Sequence, residues 1–243
     1  MRRTIILTLM LVAATALRGQ TVDTAARIVD RYLELMGNDR WPADSLLVME
    51  TKITTTGLAD TIVMRRWYAP PQMVRVEVWN GKKMETAMCS NGKDRYRRYN
   101  PSLGYWVDVT SLLFFNLFSG YDFRGPLYNW RVQGGELTYK GPASVMGMEG
   151  LQAVQVAMPD MYTRYYFFEP TGLLSLIVET AELDSTYADV AGSHIEWKFI
   201  HEYQRVCNSL IPKQESFMRE GRLTVLETTA HMERLDTLVF NKD

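Results

Sequence analysis

Residues able to do chemistry are few in this chain, and their spacing does not suit it. There are three histidines, His194, His201 and His231. His194 and His201 stand seven apart on one alternating stretch. An odd separation puts them on opposite faces of a strand, where they share no metal ion without a bulge. The carboxylates Glu85, Glu196 and Glu202 fall on polar strand faces, which any half-wet sheet offers. No G-x-S-x-G turn, phosphate-binding loop or dinucleotide fingerprint occurs in the sequence. The expectation is a chain without catalytic residues, metal site or cofactor, and so not an enzyme. Arg95, Tyr96, Arg97, Arg98 and Tyr99 make a small basic and aromatic group. A formal net charge of −1 denies it the basic footprint that nucleic acid requires, so a solvated strand face is expected instead. The two cysteines, Cys89 and Cys207, are expected as buried free thiols rather than as a bridge across so long a loop.

The elements that must position these residues are mostly strands. At 243 residues, with 47% hydrophobic and 23% charged residues, the chain suits one large β domain or two small ones and argues against disorder. It opens with an export leader. Arg2 and Arg3 are basic, residues 5–14 are apolar, and Ala14-Thr15-Ala16 fits a cleavage site, with Gly19 as a second candidate. Residues 1–19 are therefore assigned to the leader and residues 20–243 to a single domain. Val22 to Met36 carries Ala25, Ile28, Val29, Tyr32, Leu35 and Met36 at helical spacing. Thereafter period-two alternation dominates. Strands are expected at Leu46 to Thr56, Thr61 to Tyr68, 73–79, 83–90, 94–99 and 105–108. Later ones follow at Glu136 to Val145, Leu151 to Met158, Thr163 to Phe168, Leu173 to Thr180, His194 to Tyr203, Ile211 to Arg219 and Leu223 to Arg234. Asn80-Gly81 and Asn91-Gly92 are read as two-residue type I′ turns, and Gly147 to Gly150 as a further turn. Val74, Val76 and Val78 alternate with Arg75 and Glu77, which predicts one dry and one wet face. Thr110 to Tyr121 interrupts the strands as a helix apolar around almost its whole circumference, able to plug a core or to cover a cavity. The spacing of the strands is that of a β-sandwich or barrel.

The stretch from Trp67 to Pro101 resembles the periplasmic lipoprotein carriers of the LolA type, the outer-membrane lipoprotein-sorting family. It holds an aromatic strand end (Trp67-Tyr68), Pro71, Arg75-Val76-Glu77, Ser90-Asn91-Gly92-Lys93 and Tyr99-Asn100-Pro101. The second half agrees in Gly147-Met148-Glu149, in the run from Tyr165 through Glu169-Pro170-Thr171-Gly172 to Leu173, and in Tyr203-Gln204-Arg205-Val206 before Ile211-Pro212. The resemblance covers most of the mature chain. It rests largely on turn chemistry.

It implies a mainly β protein: a single curved antiparallel sheet forming an unclosed β-barrel, with helices covering or filling its concave face. It implies export to the periplasm and binding of lipid or lipoprotein acyl chains in an apolar cavity, with inner- or outer-membrane lipoprotein-sorting components as further partners. The residues expected to line such a cavity are Val74, Val76, Val78, Phe114, Phe115, Phe118, Val154, Val156, Tyr165, Phe167, Trp197 and Phe199, all of which would equally suit a filled core. Where the carriers have a basic residue that locks the lid, this chain has Ala69-Pro70, so lipid binding is better supported than directed hand-off. A sensor or scaffold of the same fold, recognising lipoproteins or envelope proteins on its sheet surface, is the alternative. A secreted enzyme using His201 is a third reading.

Overall fold

The computed structural model describes residues 24–37, 41–70, 72–118, 121–122, 126–128, 130, 135–158, 161–180, 196–219 and 221–240. The expected leader, His194 and the polar loop at 184–193 lie outside these residues. Helix α1 spans residues 24–36. The strands are β1 (Ser45–Thr55), β2 (Ile62–Ala69), β3 (Met73–Asn80), β4 (Lys83–Asn91), β5 (Tyr96–Asn100) and β6 (Tyr105–Asp108). Helix α2 (Ser111–Phe118) follows, then β7 (Glu136–Val145), β8 (Met148–Met158), β9 (Met161–Phe168) and β10 (Leu173–Thr180). The last strands are β11 (Glu196–Val206), β12 (Ser209–Arg219) and β13 (Arg222–Arg234), with a 3-10 turn at Thr237–Phe240.

All thirteen strands belong to one antiparallel sheet that does not close into a barrel, in the order β6-β5-β4-β3-β2-β1-β13-β12-β11-β10-β9-β8-β7. Two meanders of consecutive strands are joined where β1 pairs with β13 over its whole length, from Ser45↔Arg234 to Thr55↔Thr224. The mainly β, unclosed architecture expected from the resemblance is therefore present. The described residues gather into two compact units. One contains α1 as far as Leu35 and β7 to β10. The other contains β1 to β6, α2, and β11 from Lys198 onward with β12 and β13.

Several turns differ from their sequence reading by a residue or more. Asn80 pairs with Lys83, so the tight turn is Gly81-Lys82. Asn91-Gly92 makes no two-residue hairpin. The Asn91 side-chain oxygen accepts from the amides of Lys93, Asp94 and Arg95, and this holds a longer loop. A side chain that satisfies three amides competes successfully with the tight turn. The third turn is Met146-Gly147, because Val145 already pairs with Met148. Helix α2 contains the whole apolar run from Leu112 to Phe118 that predicted it, with Thr110 Oγ1 accepting from the Leu113 amide at its start.

The expected wet face of β3 is covered. Arg75 and Glu77 are buried, because the 3-10 turn at the end of the chain lies over them. Phe240 packs with Leu46 and Ala69, and Trp67, Met73 and Val239 border that cluster. Arg75 donates from NH1 to the Val239 carbonyl at 2.9 Å and from Nε to Glu77 Oε1 at 2.8 Å. The other Glu77 oxygen accepts from Trp79 Nε1 at 2.9 Å. The Arg75 guanidinium also lies 5.2 Å from the centre of the Trp106 ring, with that of Arg97 at 5.8 Å. Arg97 is in turn 3.5 Å from Asp108. So one part of the basic and aromatic group read as a solvated face is an ordered, largely buried cluster, while Arg95 and Arg98 are exposed.

The two edges of the sheet are short or irregular. β6 has four residues. β7 shifts register twice, between Tyr139 and Gly141 and between Ala143 and Val145, and carries Pro142.

Candidate apolar ligand site

In the unit built from β1 to β6, α2 and β11 to β13, one sheet face carries the apolar cluster. Cross-strand register aligns Met49, Arg66 and Val76 in one row, and Leu47, Tyr68 and Val74 in the next. Paired residues of antiparallel strands point to the same side, so these side chains share a face. Leu47, Met49, Met64, Tyr68, Val74, Val76 and Met88 are buried there together with Phe114 and Phe118 of α2. Phe114 and Phe118 are four apart and so project from one side of the helix. Their rings stack at 5.8 Å. Phe118 meets Tyr68 at 6.2 Å and Phe114 meets Tyr96 at 5.3 Å. Five expected site residues thus come together: Val74, Val76, Phe114 and Phe118 fully buried, and Val78 partly buried against them. Phe115 does not join them. It is 45% exposed.

Val154, Val156, Tyr165 and Phe167 are buried in the other unit. Val154, Tyr165 and Ile177 form a cross-strand row. Tyr32 of α1 meets Phe167 edge-on at 5.5 Å, and Ala25 and Val29 on the same helical stripe are buried. These four residues are a packed core under α1. Burial pushes the Tyr165 phenol far above its usual range, and the charge of Glu179 pushes it the same way. The folded state therefore favours the protonated phenol. Its contribution to stability is complete below the unfolded value near pH 10 and is lost as pH rises beyond it. Above about pH 10 the unfolding free energy should fall by up to about 1.4 kcal/mol per pH unit from this group. Tyr165→Phe should remove that part of the slope. Urea midpoints at pH 9 and pH 11, as about the limits of a useful window, check it. Equal slopes in parent and variant would refute the assignment.

Trp197 and Phe199 do not face the apolar cluster as expected. Lys198 reaches Glu215 Oε1 at 2.7 Å. Glu215 is opposite Leu226, which is opposite Ile53, and Ile53 packs on the cluster. Phe199 is on the other side of β11, stacked on His201 at 6.2 Å, with His201 hydrogen-bonded to Ser216 at 2.7 Å. Trp197, two residues earlier on the same strand, is half-buried. Both faces of β11 mix polar and apolar residues, so alternation alone assigned the wrong one to Phe199.

The sequence reading missed Arg66. It lies on the apolar face between Met64 and Tyr68 and is 6% exposed. Its NH2 donates to Thr51 Oγ1 at 2.7 Å, and the Thr51 and Thr228 hydroxyls share a further hydrogen bond at 2.8 Å. Its NH1 and the Tyr68 hydroxyl both donate to the backbone carbonyl of Tyr121, at 3.3 and 3.2 Å. Its Nε meets no acceptor, and no carboxylate among the described residues pairs with it. A guanidinium stays charged when buried, so its two partners hold an otherwise unfavourable position. The alternation Met64, Arg66, Tyr68 was the available signal. It places Arg66 three residues before Ala69, where sequence reading had found no basic residue.

Among the described residues no group of His, Cys, Asp and Glu has a metal-binding arrangement. His231 pairs with Glu233 at 2.7 Å, far along the chain from His201 and bonded to a different partner. Neither cysteine is in a disulfide; Cys89 is buried and Cys207 exposed, the latter against expectation because it occupies the turn between β11 and β12. No helix among the described residues is long and apolar enough to cross a membrane.

No family model matches the chain, and no curated protein matches it. Solved structures do. A LolA superfamily protein from Nitrosomonas europaea aligns with a TM-score of 0.57 at 13% identity, covering 90% of this chain and 98% of that one. A DUF1329 family protein from Desulfovibrio piger aligns with a TM-score of 0.55 at 13% identity, over 90% and 97%. A putative outer membrane lipoprotein-sorting protein domain from Vibrio parahaemolyticus gives 0.55 at 12%, over 93% and 97%. At this identity the likeness is one of fold, and the fold is LolA-like.

Proposed function

We propose, from this LolA-like fold, that the chain is an exported, periplasm-facing protein that sequesters lipid or lipoprotein acyl chains against the apolar face of β1 to β4. Val74, Val76, Val78, Phe114 and Phe118 supply the contact. The observation that carries the reading is how α2 is held over that face. The helix contains no charged residue and makes no ion pair. Its grip is apolar throughout, the stacked Phe114 and Phe118 with Leu117 on the cluster and Phe115 on Tyr96, and Arg66 and Tyr68 hold the segment after it through one backbone carbonyl. Such a cover exchanges readily. An acyl chain that replaced the two rings would gain about 0.8 kcal/mol for each CH₂ removed from water. Arg66 and Tyr68 would close the site again through Tyr121. No step needs a nucleophile, a metal ion or a cofactor. Lipoprotein-sorting components of the envelope are the partners such a carrier would meet.

The test is chemical. The protein is purified without detergent and extracted with organic solvent, and the extract is analysed by mass spectrometry. Delipidated protein is then titrated with a fluorescent acyl probe. Stoichiometric lipid and saturable uptake are expected. Val78→Glu puts a charge at a half-buried wall position and should leave folding intact while weakening uptake by about tenfold or more. An empty extract together with no uptake by the delipidated protein would overturn the proposal.

A further inference from the structure

We propose that the outward side of α2, with Lys93 and Arg98 beside it, is a docking surface for an anionic lipid bilayer. The inward side of α2 is accounted for by Phe114 and Phe118. The outward side is not. Leu112 is 72% exposed, and Leu113 and Phe115 are each 45% exposed. A surface helix of a water-soluble domain ordinarily turns charged residues outward. Here the sequence from Val109 to Phe118 contains none. Three large exposed apolar side chains within one helical turn form a patch of the kind that marks an interaction surface rather than scattered exposure.

The neighbouring strand supplies the charge. Tyr96 of β5 touches Phe115 at 5.6 Å, and its hydroxyl donates to the Lys93 carbonyl at 3.4 Å. Arg98 is two residues further along the same face of β5, opposite Met88. The side chains of Lys93 and Arg98 are exposed and make no ion pair among the described residues. Asp108, a nearby acid, is engaged by Arg97 at 3.5 Å, and Asp94 accepts from Asn91. An uncharged apolar helix face flanked by free cations fits the boundary between anionic headgroups and acyl chains. Leucine and phenylalanine enter the apolar layer there, and lysine and arginine stay at the phosphates. A purely apolar protein partner would leave both cations without a role. This surface does not depend on whether a ligand is held beneath α2.

The experiment is co-sedimentation of the exported protein with vesicles of phosphatidylglycerol and phosphatidylethanolamine, against vesicles of phosphatidylcholine. Leu112→Ser/Phe115→Ser and Lys93→Glu/Arg98→Glu are compared with the parent. Lys93, Arg98 and Leu112 are exposed and Phe115 is nearly half exposed, so both variants should remain folded, with the urea midpoint lowered only in the helix variant by the lost Phe115 contacts. The parent is expected on the phosphatidylglycerol vesicles and not on phosphatidylcholine, with binding weakened by added salt. Each double variant should bind about tenfold more weakly. The proposal is overturned if the parent stays in the supernatant or binds both vesicles equally. It is likewise overturned if the helix variant binds as the parent does, which is also the result expected were the apolar N-terminal stretch the anchor. A parent that ignores vesicles but self-associates, with association lost in the helix variant, would assign the patch to a second copy of the chain and also end the proposal.

Discussion

Replacing Glu77 with alanine is expected to destabilise the protein by about 3–5 kcal/mol, the cost of leaving a buried charge without its partner. Glu77 holds the Arg75 guanidinium with Oε1 at 2.6 Å from NH2, and its other oxygen accepts from Trp79. Both side chains of the pair are only 11–12% exposed. Without the carboxylate, Arg75 keeps the Val239 carbonyl and the Trp106 ring but loses the full negative charge that Glu77 sets against it. Exchange protection around residues 237–240 should fall with stability, because the guanidinium that binds the Val239 carbonyl loses the carboxylate that fixes it. Removing both charges in Arg75→Leu/Glu77→Leu should cost less than Glu77→Ala alone, since it leaves no uncompensated ion. Urea denaturation of the three variants decides. A loss of less than about 1 kcal/mol for Glu77→Ala would mean the pair behaves as an exposed one.

Gly37→Ala should cost about 3 kcal/mol or more, from backbone strain and a collision together. Gly37 follows α1 with φ +63, and a Cβ there would stand 2.3 Å from the backbone oxygen of Asn208. A backbone atom cannot rotate aside as a side-chain tip can. The end of α1 would have to move off the turn between β11 and β12. That movement breaks the bond from Ser209 Oγ to the Gly37 carbonyl, and with it the Trp41 indole's contact to the same hydroxyl. Gly57→Ala separates the two causes. Gly57 also has positive φ, but nothing lies within 4 Å of its added Cβ. It should lose only the conformational share, about 1–2 kcal/mol. Thermal unfolding of both variants tests this, and equal losses would show that the collision is relieved at little cost.

Most of the strands were legible in the sequence because alternation and turn residues are local signals. β7 and β10 begin and end where alternation placed them. What escaped is decided by residues distant in the chain. Nothing near Arg75 and Glu77 announces that Val239 and Phe240 will cover them, so a strand with two buried faces was read as half wet. The adjacent pair Arg65 and Arg66 looks like a charged strand face. Only the register with Met49 and Val76 shows that Arg65 turns out to Glu50 while Arg66 turns in. Phe199 was misplaced for a related reason, because its strand offers no clear polar side. Most of the apolar candidates are buried because large side chains at alternating positions are buried wherever the sheet is covered, whether by a helix or by a ligand.

The irregular edges of the sheet bear on how the chain avoids pairing with its neighbours in solution. A long, flat edge strand would offer its free amides and carbonyls to any neighbour at high concentration. β7 departs from that template. Pro142 lacks a donor, and two register shifts spoil the ladder on either side of it. At the opposite edge, β6 has only four residues to offer. A sheet of thirteen strands thus keeps its growth in check at both ends, and straightening β7 would turn a blunted border into a template for strand addition.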